Sequence, residues 1–247
     1  MFLFNKNVVY REKYFLYQYN DNNYRIVLHK YCREKGFEDL FPKKENPIIL
    51  QTEPEEVERI SLSRSKRSIR EICLCNNFQY FVTLTVDSKY CDRFHLDDCQ
   101  DNLRKHFKKI KRKFKDFAYI FITEKHKNGA FHFHGLIKGI PTSEFYTNQN
   151  DYLSCHLFDD LGFNSFSIIK DYYKCCNYMT KYITKDCVKN SSGTVYISSR
   201  GLKKAQKYDI KPLDIGWGFE NDFCKIRDFS LSDLTTDEKL KILLTDL

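Results

Sequence analysis

A short hairpin signal in the middle of the chain constrains the fold more than any other feature of the sequence. Residues 118–124 and 130–137 are two mainly apolar runs, and the pair Asn128-Gly129 lies between them. Asn-Gly is favoured in the tight turn between two antiparallel strands, because both residues tolerate positive φ. The sequence therefore predicts an antiparallel sheet in which these two strands are neighbours.

Further apolar runs predict more strands. Residues 80–86 are β-branched and aromatic, residues 163–169 continue this pattern, and residues 194–198 form a shorter run. Runs of this length and composition, bounded by polar residues, are typical of buried strands.

Three segments have the periodicity of helices. The first begins at Thr52, whose hydroxyl can cap a helix together with Glu55 three residues later, and it extends to about residue 73. The second covers residues 97–115 and has apolar residues every three or four positions. The third covers residues 171–185. Strands and helices in this order indicate an α+β fold, with an antiparallel sheet and helices packed on it.

The segments that carry chemistry lie in the middle of the chain. We divide it into an N-terminal accessory segment (1–50), a central domain (51–200) that includes the basic helix 52–73, and a C-terminal extension (201–247). No run approaches the roughly 20 apolar residues of a membrane helix. We expect a cytosolic protein with no membrane partner and with ten reduced cysteines, none of which has the C-x2-C spacing of a zinc site.

Positive charge is concentrated in one stretch. The net charge is +8, and residues 102–115 hold eight Lys and Arg and no acid, whereas basic and acidic residues are equal in number elsewhere. A local basic surface suits a phosphate backbone, although a solvated helix face explains the charge equally well. The predicted DNA contacts on this helix are Lys108, Lys109 and Lys111. A second basic cluster, on helix 52–73, comprises Arg64, Lys66, Arg67 and Arg70.

Two histidines alternate with phenylalanines in the second hairpin strand. In Phe131-His-Phe-His-Gly135, His132 and His134 share one face because side chains alternate along a strand. Glu124, near the end of the preceding strand, could present a carboxylate toward the same face. Two imidazoles and a carboxylate suit an open, catalytic metal site, although a single histidine would more often be an ordinary polar residue.

The helix 171–185 carries two tyrosines one turn apart. Helical spacing places Tyr178 and Tyr182 on the side opposite the apolar residues. Phenols among ammonium groups combine potential nucleophiles with a cationic environment that attracts phosphate, whereas the alternative is a pair of surface tyrosines. The lysines on this side are Lys174, Lys181 and Lys185.

Three segments resemble, in order, the three motifs of the His-hydrophobic-His (HUH) endonucleases that initiate rolling-circle replication. They are Phe81-Val-Thr-Leu-Thr85, Phe131-His-Phe-His-Gly135 and Tyr178-Met-Thr-Lys-Tyr-Ile-Thr-Lys185. The resemblance covers about residues 61–197 and is closest to the replication-associated (Rep) proteins of bacterial plasmids and single-stranded DNA phages. It implies an RRM-like (ferredoxin-like) antiparallel sheet, with the histidine strand central and the tyrosine helix beside it.

The resemblance also implies a mechanism and a set of partners. His132, His134 and Glu124 would hold Mg2+ or Mn2+, and Tyr182 or Tyr178, paired with Lys185 or Lys181, would attack single-stranded origin DNA. The chain contains no P-loop for ATP, which favours the use of a host helicase and DNA polymerase in a bacterial cytoplasm.

Two other functions fit parts of the pattern. A tyrosine transposase of the same superfamily would cut element ends, but those enzymes usually carry a single tyrosine. A non-catalytic RRM-like module would use the sheet to stack bases. Metal-dependent cleavage of a labelled single strand separates this module from both enzymes.

Overall fold

The structure is a computed structural model that describes residues 11–21, 23–32, 54–126, 128–183, 194–210 and 224–230. The chain divides into two compact units. One comprises residues 53–203, and the other combines the two ends of the chain, residues 1–52 and 204–247. Among the described residues, no helix is both long and apolar enough to span a bilayer.

The described residues form eleven strands and three α-helices. In chain order these are β1 (Arg11–Gln18), β2 (Asn23–Cys32), α1 (Pro54–Leu74), β3 (Tyr80–Val86), α2 (Leu96–Lys113), β4 (Ala118–Lys125), β5 (Phe131–Lys138), β6 (Phe145–Thr147), β7 (Leu153–Cys155), β8 (Gly162–Ile168), α3 (Tyr172–Met179), β9 (Tyr196–Ser198), β10 (Gln206–Ile210) and β11 (Cys224–Ser230).

The terminal unit contains a four-stranded antiparallel sheet with the strand order β10-β1-β2-β11. The N-terminal segment and the C-terminal extension thus contribute two strands each to one sheet. The sequence analysis treated these two segments separately, because pairing between distant strands leaves no local signal.

The central unit is built on a seven-stranded antiparallel sheet with the strand order β6-β7-β8-β3-β5-β4-β9. The predicted hairpin is confirmed, since β4 and β5 pair along their lengths and Gly129 in the turn has a φ of +89°. The predicted α+β class, with helices packed on an antiparallel sheet, is also confirmed. Strands β6 and β7 lie where the sequence suggested only a loop at its start.

Helix α2 covers one face of this sheet. Its apolar stripe, which includes Leu103 and Phe107, is buried against residues such as Phe121 on β4 and Phe133 on β5. The rings of Phe107 and Phe121 stack with their centroids 5.2 Å apart. Because side chains alternate along a strand, the residues next to these phenylalanines face the opposite side of the sheet.

Gly135 on β5 allows the close approach of its neighbour on β4. A Cβ at this position would lie 2.3 Å from the Phe121 ring and 2.6 Å from the Ile120 carbonyl oxygen. We expect Gly135→Ala to lower the free energy of unfolding by about 1–3 kcal/mol, because the packed ring and backbone must move. Urea denaturation measures this loss, and an unchanged midpoint would contradict the steric role.

Helix α3 is shorter than predicted. The sequence analysis predicted a helix over residues 171–185, but α3 ends at Met179 and a 3-10 turn follows over Thr180–Tyr182. The Thr180 hydroxyl donates a 2.7 Å hydrogen bond to the Asn177 carbonyl oxygen, which favours the tighter turn. The remainder of the predicted helix from residue 184, including Lys185, lies outside the described residues.

Candidate active site

The histidine pair lies on the sheet face that α2 does not cover. Both histidines are half-buried on β5, whereas Phe131 and Phe133 are buried on the other face, as the alternation predicted. In the strand register, His132 lies between Thr85 on β3 and Glu124 on β4, and His134 lies opposite Thr83. The register therefore brings together hydroxyl, imidazole and carboxylate groups from three adjacent strands.

Two threonines orient the imidazoles. The Thr85 hydroxyl lies 2.9 Å from His132 Nδ1, and the Thr83 hydroxyl lies 3.2 Å from His134 Nδ1. These contacts leave Nε2 of each ring as the atom that could bind a ligand. Outer hydrogen bonds of this kind fix the orientation of metal-binding histidines.

Glu124 is close to one of the two Nε2 atoms. Its Oε2 lies 2.7 Å from His134 Nε2, and its side chain is 49% exposed whereas that of His134 is 11% exposed. Burial lowers the pKa of both His132 and His134. The nearby His126, whose ring centroid lies 4.8 Å from that of His132, lowers the pKa of His132 further. Both imidazoles are therefore neutral near pH 7, which is the form that binds metals.

The donor set has suitable chemistry for a divalent cation but is not closed around one point. Two neutral imidazoles and a carboxylate suit Mn2+ better than Mg2+, which prefers oxygen ligands. Across the residues that the structure describes, no three His, Cys, Asp or Glu side chains converge closely enough to hold an ion. Glu124 instead forms its hydrogen bond with His134, so that metal binding by the predicted set requires a change in side-chain positions.

The tyrosine segment lies directly against the histidine pair. The ring of Tyr182 stacks on the imidazole of His134, with centroids 3.9 Å apart and planes 14° from parallel. The Tyr182 hydroxyl donates a 2.8 Å hydrogen bond to the Tyr178 hydroxyl. Cys176 and Met179 are fully buried, whereas Tyr178 is 43% exposed, as the helical spacing predicted. Both phenols therefore lie beside the potential metal ligands.

Phe81 on β3 holds this aromatic group together. Its ring centroid lies 5.7 Å from that of Tyr178, 6.4 Å from that of Tyr182 and 6.1 Å from that of His134. Lys181 places its Nζ 5.2 Å from the centre of the Tyr178 ring. Burial, together with the hydrogen bond to Tyr178, raises the pKa of Tyr182 well above its ordinary value. The Tyr182 phenol is therefore protonated near pH 7 in the absence of a bound ligand.

Arg70 braces the tyrosine helix. Its Nε donates to the Asn177 side-chain oxygen at 2.7 Å, and its Nη2 donates to the Tyr173 hydroxyl at the same distance. The structure thus places this predicted DNA contact in the interface between α1 and α3. Arg64, Lys66 and Arg67 are exposed on α1.

The lysines of α2 lie on the far side of the sheet from the histidine pair. Lys108, Lys109 and Lys111 are exposed on the helix that covers the opposite face. Lys111 also donates a 2.8 Å hydrogen bond to the Phe117 carbonyl oxygen. Lys174, in contrast, lies on α3, where it forms an exposed ion pair with Asp171 at 3.0 Å.

This placement gives the basic helix a testable role. In a variant with Lys108→Gln, Lys109→Gln and Lys111→Gln, we expect weaker binding of long single strands and a smaller salt dependence, by about 0.7 in slope per lost phosphate contact. Binding of a ten-nucleotide strand, which covers only the site face, should be unchanged. Fluorescence anisotropy at several salt concentrations measures both effects, and an unchanged slope with long DNA would identify the helix as a solvated face.

Arg93 is a neighbour of the site that no sequence pattern singled out. Its Nε is buried and has no hydrogen-bond partner among the described residues, and its charge contributes to the lowered pKa of His132. The Phe131 amide donates a 2.9 Å hydrogen bond to the Arg93 carbonyl oxygen, which fixes this loop at the start of β5. A guanidinium beside the histidines suits an anionic ligand.

We expect the two threonines to control metal affinity. Thr83→Val and Thr85→Val keep the side-chain shape but remove the hydroxyl that orients each imidazole, and each should weaken Mn2+ binding by about 10–100-fold. Titration calorimetry measures the affinity. Ser165→Ala is a matched control, since Ser165 lies opposite Thr83 on the other neighbouring strand. Equal affinities in all three variants would rule out an orienting role.

Comparison with known proteins agrees with this geometry. Residues 79–187 match the family model of the replication-associated protein ORF2. The matched segment begins just before β3 and contains the histidine strand and both tyrosines. No curated protein and no solved structure matches the chain. The resemblance to replication initiators is thus confirmed at the level of this family, and residues 79–187 form a replication-associated domain of the ORF2 family.

Proposed function

We propose that this protein starts rolling-circle replication of a plasmid or phage by nicking single-stranded origin DNA and later rejoining it. One observation carries the proposal: the Tyr182 ring stacks on His134 and its hydroxyl contacts that of Tyr178. A potential nucleophile and a potential metal ligand are therefore in direct contact within the matched family segment.

The proposed metal ligands are His132, His134 and Glu124. The threonine contacts to Nδ1 leave both Nε2 atoms available, and Glu124 is exposed enough to move from His134 toward a shared ion. Bound there, Mn2+ or Mg2+ would act as a Lewis acid on the scissile phosphate.

The tyrosine carries the covalent step. Its phenol oxygen attacks the scissile phosphorus and gives up its proton, while the bond between phosphorus and the 3′ oxygen breaks. The 5′ end stays on the protein as a phosphotyrosine, and the departing oxygen takes up a proton to become a 3′-hydroxyl that can prime synthesis. Attack by this or another 3′-hydroxyl on the phosphotyrosine reverses the step and joins the strands.

The lysines would stabilise negative charge during the reaction. Lys181 lies beside the Tyr178 ring, where its ammonium group favours a phenolate and attracts a phosphate. We assign Lys185 the same role beside Tyr182, from its spacing in the sequence. Strand separation and synthesis are assigned to a host helicase and DNA polymerase in a bacterial cytoplasm, with no ATP bound by this chain.

A covalent adduct tests the proposal. The protein is incubated with a pool of single-stranded oligonucleotides and Mn2+, and complexes that survive denaturing electrophoresis are sequenced. We expect an adduct that depends on the metal and contains one cut sequence. Retained DNA binding with no adduct would instead support the non-catalytic nucleic-acid-binding module.

A further inference from the structure

A groove of about 580 Å³ opens beside Tyr178. It runs between the end of β8 and helix α3, and Phe81 and Tyr178 of the aromatic group form part of its wall. This volume falls within the range of ordinary ligand pockets. The groove is therefore continuous with the candidate active site but extends away from the histidine pair.

The groove has an exposed apolar surface. Ile168 at the end of β8 is 65% exposed, which makes it the most exposed large apolar side chain among the described residues. The exposed Tyr178 and the half-buried Phe81 lie on the same groove. Apolar side chains clustered in a concave surface mark a site that a ligand covers, and an aromatic ring here offers a face on which a planar group can stack.

The groove also carries positive charge. Three of its lining residues are Lys170, Lys174 and Lys181, and the one acidic lining residue is Asp171. Asp171 is engaged already, because it caps α3 through the Lys174 amide and pairs with the Lys174 ammonium. Apolar surfaces with surrounding lysines match the two parts of a single-stranded nucleic acid, its bases and its phosphates.

We propose that this groove binds the unpaired nucleotides that adjoin the scissile phosphate. The bases pack on Ile168, Phe81 and Tyr178, and the phosphates lie near Lys170, Lys174 and Lys181. A duplex is excluded because its bases are already stacked in pairs and offer no free face. The inference rests on the proposed function, and it assigns Tyr178 to the strand held in the groove, whereas Tyr182 remains on the histidine side.

Binding without cleavage tests the groove separately from the chemistry. Fluorescein-labelled dT10 is titrated in EDTA against the full chain, Ile168→Ser, and the double variant Lys170→Gln/Lys174→Gln. Lys108→Gln/Lys109→Gln is the matched control, because it removes the same charge from the far side of the sheet. Circular dichroism checks that each variant is folded, which we expect because all these side chains are exposed.

We expect Ile168→Ser to weaken dT10 binding about tenfold without changing its salt dependence, since base stacking carries no net charge. The groove double variant should reduce the salt slope by about 1.4, the value for two lost single-strand phosphate contacts. The control should match the wild type. Wild-type affinity and slope in both groove variants, or equal losses in the control, would overturn the groove assignment even if the wild type forms the covalent adduct.

Discussion

Tyr182→Phe is expected to lose most of the initial strand cleavage, by roughly 100-fold, as measured from adduct formation with a labelled single strand. The substitution removes the phenol oxygen but keeps the ring that stacks on His134. The loss is limited because the Tyr178 hydroxyl lies 2.8 Å from the missing one and can reach the phosphate after a modest shift of the DNA.

Tyr178→Phe is the matched single variant. It should still cleave but transfer the strand poorly, because the second nucleophile is gone, and the double variant should form no adduct at all. Peptide mass spectrometry locates the phosphotyrosine in the wild type. An adduct on Tyr178 alone would reverse this order, and an adduct on neither residue would disprove the assignment of the tyrosine segment.

The second large effect concerns the metal ligands. His132→Ala and His134→Ala should each abolish cleavage, because loss of a Lewis acid worth several kcal/mol corresponds to roughly 1000-fold in rate. The fold should be largely kept, since both side chains are only half-buried. Glu124→Ala should still cleave but require more Mn2+.

Cleavage assays at limiting and saturating Mn2+ distinguish these variants. His156→Ala is a suitable control, because this histidine stacks on Tyr146 and contacts Asp159 outside the site. Normal cleavage by His132→Ala at limiting metal would show that the metal assignment is wrong.

The sequence was most informative where the signal is local. Strand alternation in Phe131-His-Phe-His placed both imidazoles on one face, and the Asn-Gly turn made β4 and β5 neighbours. The predicted bounds of α1, α2 and the longer strands of the central sheet differ from the structure by two residues at most. Such features depend on periods of two and 3.6 residues that any single sequence displays.

The contacts that surround the histidines could not be predicted. Thr83 and Thr85 reach the imidazoles only through the register between β3 and β5, and a shift of one residue would have turned them to the other face. Arg93 reaches the site through the fold of a loop. The end of α3 depended on the Thr180 hydroxyl, whose competition with the helix is weak and local.

The sheet of the terminal unit has a consequence for anyone who shortens this chain. The strands from the C-terminal segment, β10 and β11, flank the hairpin of β1 and β2 on both sides. Deletion of that segment alone would therefore uncover two backbone edges at once and leave a two-stranded hairpin, which is marginally stable and prone to pair with other chains. A fragment of residues 53–203 lacks both halves of that sheet and so leaves no such edges from it.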